Sequence, residues 1–180
     1  MDSSALITAL EEAIPSAQFE TAASVDLQTT FYVSRDDVPS VMAVLRNRQP
    51  FQFSFLSELT AADFWPRQPR FELIYILVSL AHRLRIRVKV RLPGEDPHVA
   101  TVSDLWPAAN WLEREVWDLF GIAFDGHPDP RRLLMPEDWD GFPLRKDYPV
   151  QILKTPTTAE PLQVTEAEFK MNVMKDRLSR

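Results

Sequence analysis

The sequence predicts an α+β fold: a mostly antiparallel sheet with helices on one face, followed by an extended C-terminal segment. Three observations predict it. The elements read from periodicity run helix, strand, strand, helix and then three strands, an order suited to helices packed on one side of a sheet. The run from Leu84 to Leu92 alternates strictly, with Leu84, Ile86, Val88, Val90 and Leu92 set between Arg83, Arg85, Arg87, Lys89 and Arg91. A side-chain period of two puts the aliphatics on one face and the cations on the other. Beyond residue 93, Pro, Trp and acids become common, and residues 150–165 are polar, with Pro156, Pro161 and weak periodicity. The domain is therefore expected over residues 1–149 and the extended tail over 150–180.

Taken in order, Ser3 and Ser4 before Ala5, Leu6, Ile7, Leu10 and Ile14 read as a capped amphipathic helix that stops before Pro15. Residues 17–20 and 25–33 are rich in Val, Thr, Phe and Tyr and read as strands. Asp36 or Asp37 is a candidate N-cap for a second helix, with Pro39 tolerated in its first turn. Val41, Met42, Val44 and Leu45 supply its apolar face. Arg46 and Arg48 close it, where cations suit the helix dipole. Phe51, Phe53 and Phe55 alternate with Gln52 and Ser54, which predicts a strand with one aromatic face. Residues 71–79 form a β-branched and aromatic run, expected to be a central strand. Residues 110–121 read as a helix with Gly121 just past its end. A last short helix is expected over 165–178, with Thr165 and Glu168 as a capping box.

Composition removes several function classes. A chain of 180 residues is long enough to bury a core without staples. It has no Cys, which excludes disulfides, thiolate zinc sites, a cysteine nucleophile and cysteine-held iron–sulfur clusters. Its 4 Gly are isolated, so neither GxGxxG nor GxxxxGK[ST] occurs. The longest apolar stretch, Leu73 to Ala81, is far short of the ~20 residues a spanning helix needs. The N-terminus lacks the basic start and apolar run of a signal peptide. A cytoplasmic chain is expected, with membrane association only through a partner. The net charge is −6, and 16 of the 26 acids lie in residues 91–180. The N-terminal half is thus close to neutral.

The cationic strand face is either solvated or matched to an acidic neighbour, in another chain or in this chain's own acidic half, since like charges on one face repel. Nucleic acid is not expected, because the net charge is negative and no nucleic-acid motif accompanies the stripe.

On a wheel of residues 110–121, Leu112, Val116, Leu119 and Phe120 share one arc, while Arg114, Glu115 and Asp118 lie opposite. Arg114 and Asp118 are spaced i,i+4, a separation at which they can pair. Glu113 falls within or at the edge of the apolar arc, where a carboxylate needs a partner. It is expected to be buried against an arginine: Arg131, Arg132 or Arg145. Paired with His127, it is also the sole acid–base candidate for a free-standing enzyme. His127 lies between Asp125 and Asp129 but has no second His nearby, so no metal site is expected. Four of the 5 Trp fall between residues 106 and 139, beside Arg131, Arg132, Arg145 and Lys146. Trp and Arg are enriched at interface hot spots, which favours a docking surface over an active site.

The run NWLEREVWDLFGI at 110–122, then Phe124, His127-Pro128 and Arg131-Arg132-Leu133-Leu134, closely resembles the signature of the 30-kilodalton subunit of respiratory complex I, the C-subunit family of NADH-quinone oxidoreductase. Asp104 to Ala109 and Pro143 to Pro149 fit as well, and the resemblance covers roughly residues 5–150. Pro130 stands where the family commonly has Leu. The resemblance implies a component of the peripheral arm with no flavin, cluster or quinone ligand of its own and no active site in this chain alone. It implies packing among subunits D, B and I, chiefly against D, on the cytoplasmic side of the cell inner membrane. By the same resemblance, Arg114, Glu115 and Asp118 shape the helix and its contacts, and Arg131, Arg132, Arg145 and Lys146 face neighbouring subunits. Related hydrogenases and ferredoxin-fed complexes carry equivalent subunits, so the electron donor stays open.

Overall fold

The computed structural model describes residues 3–149 and Met171. Its elements are α1 (Ser3–Ala13), β1 (Phe19–Ala22), β2 (Thr29–Val33), α2 (Val38–Asn47), β3 (Phe55–Asp63), β4 (Phe71–Ser79), β5 (Leu84–Leu92), β6 (His98–Ala100), α3 (Ala109–Phe120) and β7 (Ala123–Asp125). Contacts divide the chain into two units, Met1–Tyr148 and Pro149–Arg180, and the first contains every element named here. Apart from Met171, the expected tail and its helix over 165–178 lie outside the described residues.

Five strands form one sheet in the order β1-β2-β5-β4-β3, and β6 pairs with β7 in a separate ribbon. Within the large sheet only β2–β5 is parallel; the other three pairs are antiparallel. β5 is the middle strand, and the expected central run 71–79 is its neighbour β4. Ile86, Val88, Val90 and Leu92 of β5 are buried and join Leu6 and Leu10 of α1, Val41, Met42 and Leu45 of α2, and Val116 of α3 in one core. Each such side chain contributes about 2 kcal/mol by area burial, an upper value because unfolded chains are partly compact.

The opposite face of β5 carries Arg87, Lys89 and Arg91, each with a carboxylate: Asp26 at 2.7 Å, Glu72 at 2.9 Å and Glu20 at 2.6 Å. The Tyr32 hydroxyl also donates to Glu72, and the Arg91 guanidinium lies 3.7 Å from the Tyr32 ring centroid. The balancing acids thus come from β1, the β1–β2 loop and β4. They do not come from the acidic C-terminal half, because the parallel β2–β5 pairing brings the N-terminal strands alongside. Arg83 sits in the preceding turn at φ 53°, outside the strand.

Other expectations are corrected by local geometry. Phe51 and Phe53 are not in a strand. Their amides donate to the carbonyls of Arg48 and Leu45 at 3.0 and 2.8 Å, a turn that closes the end of α2 and buries both rings. Pro50 and a positive φ at Gln52 suit that turn, and β3 starts only at Phe55, whose ring is exposed. β3 escaped detection because a bulge between Leu56 and Glu58 breaks its alternation. Residues 25–28 form a loop, with Leu27 at φ 58°, so β2 is shorter than expected. Asp37 occupies the N-cap position of α2, but its side chain makes no capping bond. α3 ends as expected: Gly121 takes the left-handed conformation at φ 71°, and its amide donates to Trp117 O at 2.8 Å. A Cβ there would collide with the Phe142 ring and the Arg145 guanidinium.

Candidate functional site

α3 and the irregular strap over residues 127–148 form the densest polar constellation on the described chain. Its centre is Asp118, which is fully buried. Oδ2 accepts the amides of Leu133, Leu134 and Met135 at 3.0, 2.7 and 2.8 Å, and Oδ1 accepts Arg132 Nη1 at 2.7 Å. Burial alone would raise this carboxyl, but the three amides and the Arg132 guanidinium outweigh it and hold it below the usual range. Arg132 also donates through Nη2 to Trp139 O at 2.8 Å and Gly141 O at 3.2 Å.

The Arg114–Asp118 pair that the spacing allows does not form. Arg114 donates through Nε and Nη2 to the carbonyls of Arg131 and Arg132, each at 3.0 Å, and Nη1 lies 3.4 Å from Asp129. The strap covers the arc opposite the apolar one, so Arg114 and Asp118 each bind strap backbone. Arg145 is also turned inward. Its Nε donates to Phe120 O at 2.5 Å and Nη2 to Gly121 O at 3.3 Å, capping the end of α3. Burial and the nearby Arg70 lower its pKa from the ordinary arginine value. Arg131 points outward, 73% exposed, and grips Asp129 through Nε and Nη2. The Lys146 side chain is exposed, and Glu115 is half-buried with no ion pair among the described residues.

Glu113 is buried as expected, but against no arginine. Oε1 accepts the Val102 amide at 2.8 Å, Oε2 accepts the Thr101 hydroxyl at 2.5 Å, and His127 Nε2 stands 3.8 Å away. Burial pushes the Glu113 carboxyl up to about 7; the two hydrogen bonds only partly offset it, and Asp104 adds to the rise. The buried Tyr75 hydroxyl nearby has no hydrogen-bond partner among the described residues, and its pKa is raised by burial and by Glu113.

Glu113 and His127 therefore do meet, beside a cavity of about 100 Å³ lined also by Trp117, Ala123, Phe124 and Pro130. Neither can act on a substrate as placed. The Glu113 side chain is 0% and the His127 side chain 3% exposed. His127 Nε2 donates to Asn110 O at 3.0 Å, and Nδ1 accepts the Asp129 amide at 3.0 Å. Only a ring protonated at Nε2 and bare at Nδ1 makes both bonds, and both nitrogens are then occupied. Among the described residues no group of three His, Cys, Asp or Glu could hold a metal ion.

Sequence reasoning missed Asp63 and Arg70, which tie the strap to the sheet. Arg70 binds Asp63 through Nε at 3.0 Å and Nη2 at 2.8 Å, and Asp147 through Nη1 at 2.9 Å and Nη2 at 2.6 Å. Opposite charges flanking a Pro-rich loop between two strands were the available signal. Thr101 gave none, since no local pattern links it to a helix that starts eight residues later.

A family model described as respiratory-chain NADH dehydrogenase, 30 Kd subunit, matches residues 31–152. The NADH-quinone oxidoreductase C 2 subunit of Rhizobium meliloti (strain 1021) is 43% identical over 145 residues, 79% of each chain. The NADH-quinone oxidoreductase C subunit of Roseiflexus sp. (strain RS-1) is 41% identical over 155 residues, 83% of this chain and 86% of that one. Among solved structures, the trypsin-resistant fragment (1–134) of Nqo5 is similar with a TM-score of 0.54 and 38% identity, covering 69% of this chain and 98% of the fragment. A chain of the membrane-bound sulfane sulfur reductase, an archaeal respiratory membrane complex, is similar with a TM-score of 0.69 and 25% identity, covering 83% of this chain and 87% of that one.

Proposed function

The chain belongs to the 30-kilodalton subunit family of respiratory-chain NADH dehydrogenase, and from that premise we propose that it is a cofactor-free structural subunit of the peripheral arm, docked against subunits D, B and I. The observation that carries the proposal is the match over residues 31–152, which spans α2, β3 to β5, α3 and the whole strap. The chemistry of those residues supports it. The buried charges of α3 hold the strap in place, and the Glu113–His127 pair is closed to solvent. With no Cys, the chain holds no thiolate for a cluster. Electron transfer from NADH to quinone then belongs to other subunits, and this one supplies form and contact.

No helix among the described residues is long and apolar enough to cross a membrane. Attachment to the cytoplasmic side of the cell inner membrane through the assembly follows from the proposal. A second reading keeps the structural role and changes the machine. It is favoured by the likeness to a chain of the sulfane sulfur reductase complex. An affinity-tagged chain purified from its own membranes tests both, with co-purifying proteins identified and flavin, iron and zinc assayed. Recovery of subunits D, B and I with NADH-oxidising partners supports the first reading. Recovery with hydrogenase-like or sulfur-reducing partners supports the second. A monomer carrying its own cofactor overturns both.

A further inference from the structure

We propose that the loop between β3 and β4, Phe64–Pro69, is a preformed docking tip that seats Phe64 and Trp65 in an acidic-rimmed apolar groove of another protein subunit. The loop reads FWPRQP, and every one of its residues is exposed. Trp65 keeps 53% of its surface open, although Trp is on average a highly buried residue. The loop is nonetheless tightly held. The Phe64 amide donates to Arg70 O at 2.8 Å, the Trp65 amide to Asp63 Oδ1 at 2.9 Å and the Arg67 amide to Phe64 O at 2.9 Å. Pro66 and Pro69 have no amide hydrogen to offer. A partner therefore finds side chains here, not a row of free backbone donors, and strand addition is not the mode.

Beneath the loop, the buried Asp63 carboxylate binds Arg70 through both oxygens and takes the Lys146 amide at 2.8 Å on Oδ2. One carboxylate thus fixes the backbones of Trp65 and Lys146 side by side. A rigidly presented indole loses little conformational freedom on binding, and such anchors carry most of the energy at protein interfaces.

Charge selects the occupant. Asp63 and Asp147 are both engaged by Arg70. Arg67 on the loop and Lys146 beside it are exposed and make no ion pair among the described residues. An aromatic pair bordered by two uncompensated cations complements an apolar groove edged with carboxylates. A second copy of this chain fits poorly, because a two-fold contact through this patch would bring its cations against their own copies.

The inference rests on the subunit role proposed above. Its test uses the full chain in its own membranes, with Trp65 replaced by the photo-crosslinker p-benzoylphenylalanine. Cross-links to one segment of a different subunit, rich in apolar residues and Asp or Glu, are expected. Cross-links confined to this chain, to a second copy or to nucleic acid overturn the proposal, as does their absence. A parallel arm compares Phe64→Ala/Trp65→Ala with Leu80→Ala, which truncates an exposed leucine in the β4–β5 turn. The double variant is expected to keep the wild-type unfolding midpoint and to lose about 10-fold in recovered partner subunits. Leu80→Ala is expected to recover them as wild type does. Intact recovery by the double variant removes the docking tip alone. A wild-type chain that recovers no respiratory subunit removes the subunit role itself.

Discussion

With Glu113 pushed up to about 7 by burial, the folded chain holds a proton that the unfolded chain releases near 4.5. Stability contributed by this group is therefore complete below about pH 4.5 and is lost as pH rises through 7, a loss of about 3 kcal/mol. The sign is opposite to that of Asp63 and Asp118, whose lowered values place their titration on the acid side. Unfolding measured in urea at pH 5, 6, 7 and 8 should show wild-type stability falling across that range relative to Glu113→Gln. Parallel profiles for the two proteins would mean that Glu113 is ionised throughout. Sequence position placed this carboxylate inside correctly and partnered it wrongly. A helical wheel tells which side chains enter the core, but the hydroxyl and amide that meet Glu113 come from the β6–α3 connection, which carries no periodic signal.

At the scale of elements, the strap sends none of its own residues fully into the core, and Leu134 and Leu144 are exposed. It is folded by α3 donating to and accepting from strap backbone. Asp118 alone receives three successive strap amides and one guanidinium. Asp118→Asn removes the charge from a fully buried group and puts an NH₂ among those donors, leaving the half-buried Arg132 without its counter-ion. A loss of about 3–5 kcal/mol is expected. Amide exchange at Leu133, Leu134 and Met135 should accelerate more than exchange in β4 and β5, and equal protection in variant and wild type would refute the clamp. Regular elements were legible where burial is one-sided: the alternation in β5 and the amphipathic faces of α1 and α2 each gave the element and its inward face, whereas α3 was legible as a helix but is buried on its polar side as well. What escaped was set by long-range partners. The aromatic run at 51–55 mimics a strand because a turn at the end of α2 happens to bury alternate rings. The strap is irregular because its hydrogen bonds go to side chains of another element.

On the whole molecule, charge is arranged so that little of it is free where the sequence suggested a surface. Arg87, Lys89 and Arg91 of β5 are balanced by Asp26, Glu72 and Glu20, and Arg132 and Arg145 are folded against the chain's own carbonyls. The resemblance sets Arg131 and Arg132 together against neighbouring subunits, which implies that reversing both charges costs assembly and spares the fold. The geometry separates the two. In Arg132→Glu a carboxylate faces Asp118 and the carbonyls of Trp139 and Gly141, so the isolated chain should lose about 3–5 kcal/mol and its strap should loosen. Arg131→Glu changes an exposed side chain held only by Asp129, and its effect on stability should stay within about 0.5 kcal/mol. Arg131→Glu is thus the substitution that reports on assembly without reporting on folding. Thermal unfolding of each isolated variant, followed by recovery of partner subunits from membranes, checks the pair. A folded Arg131→Glu chain that assembles at wild-type level would place Arg131 away from any subunit contact. An Arg132→Glu chain as stable as wild type would mean that the strap is held without its central ion pair.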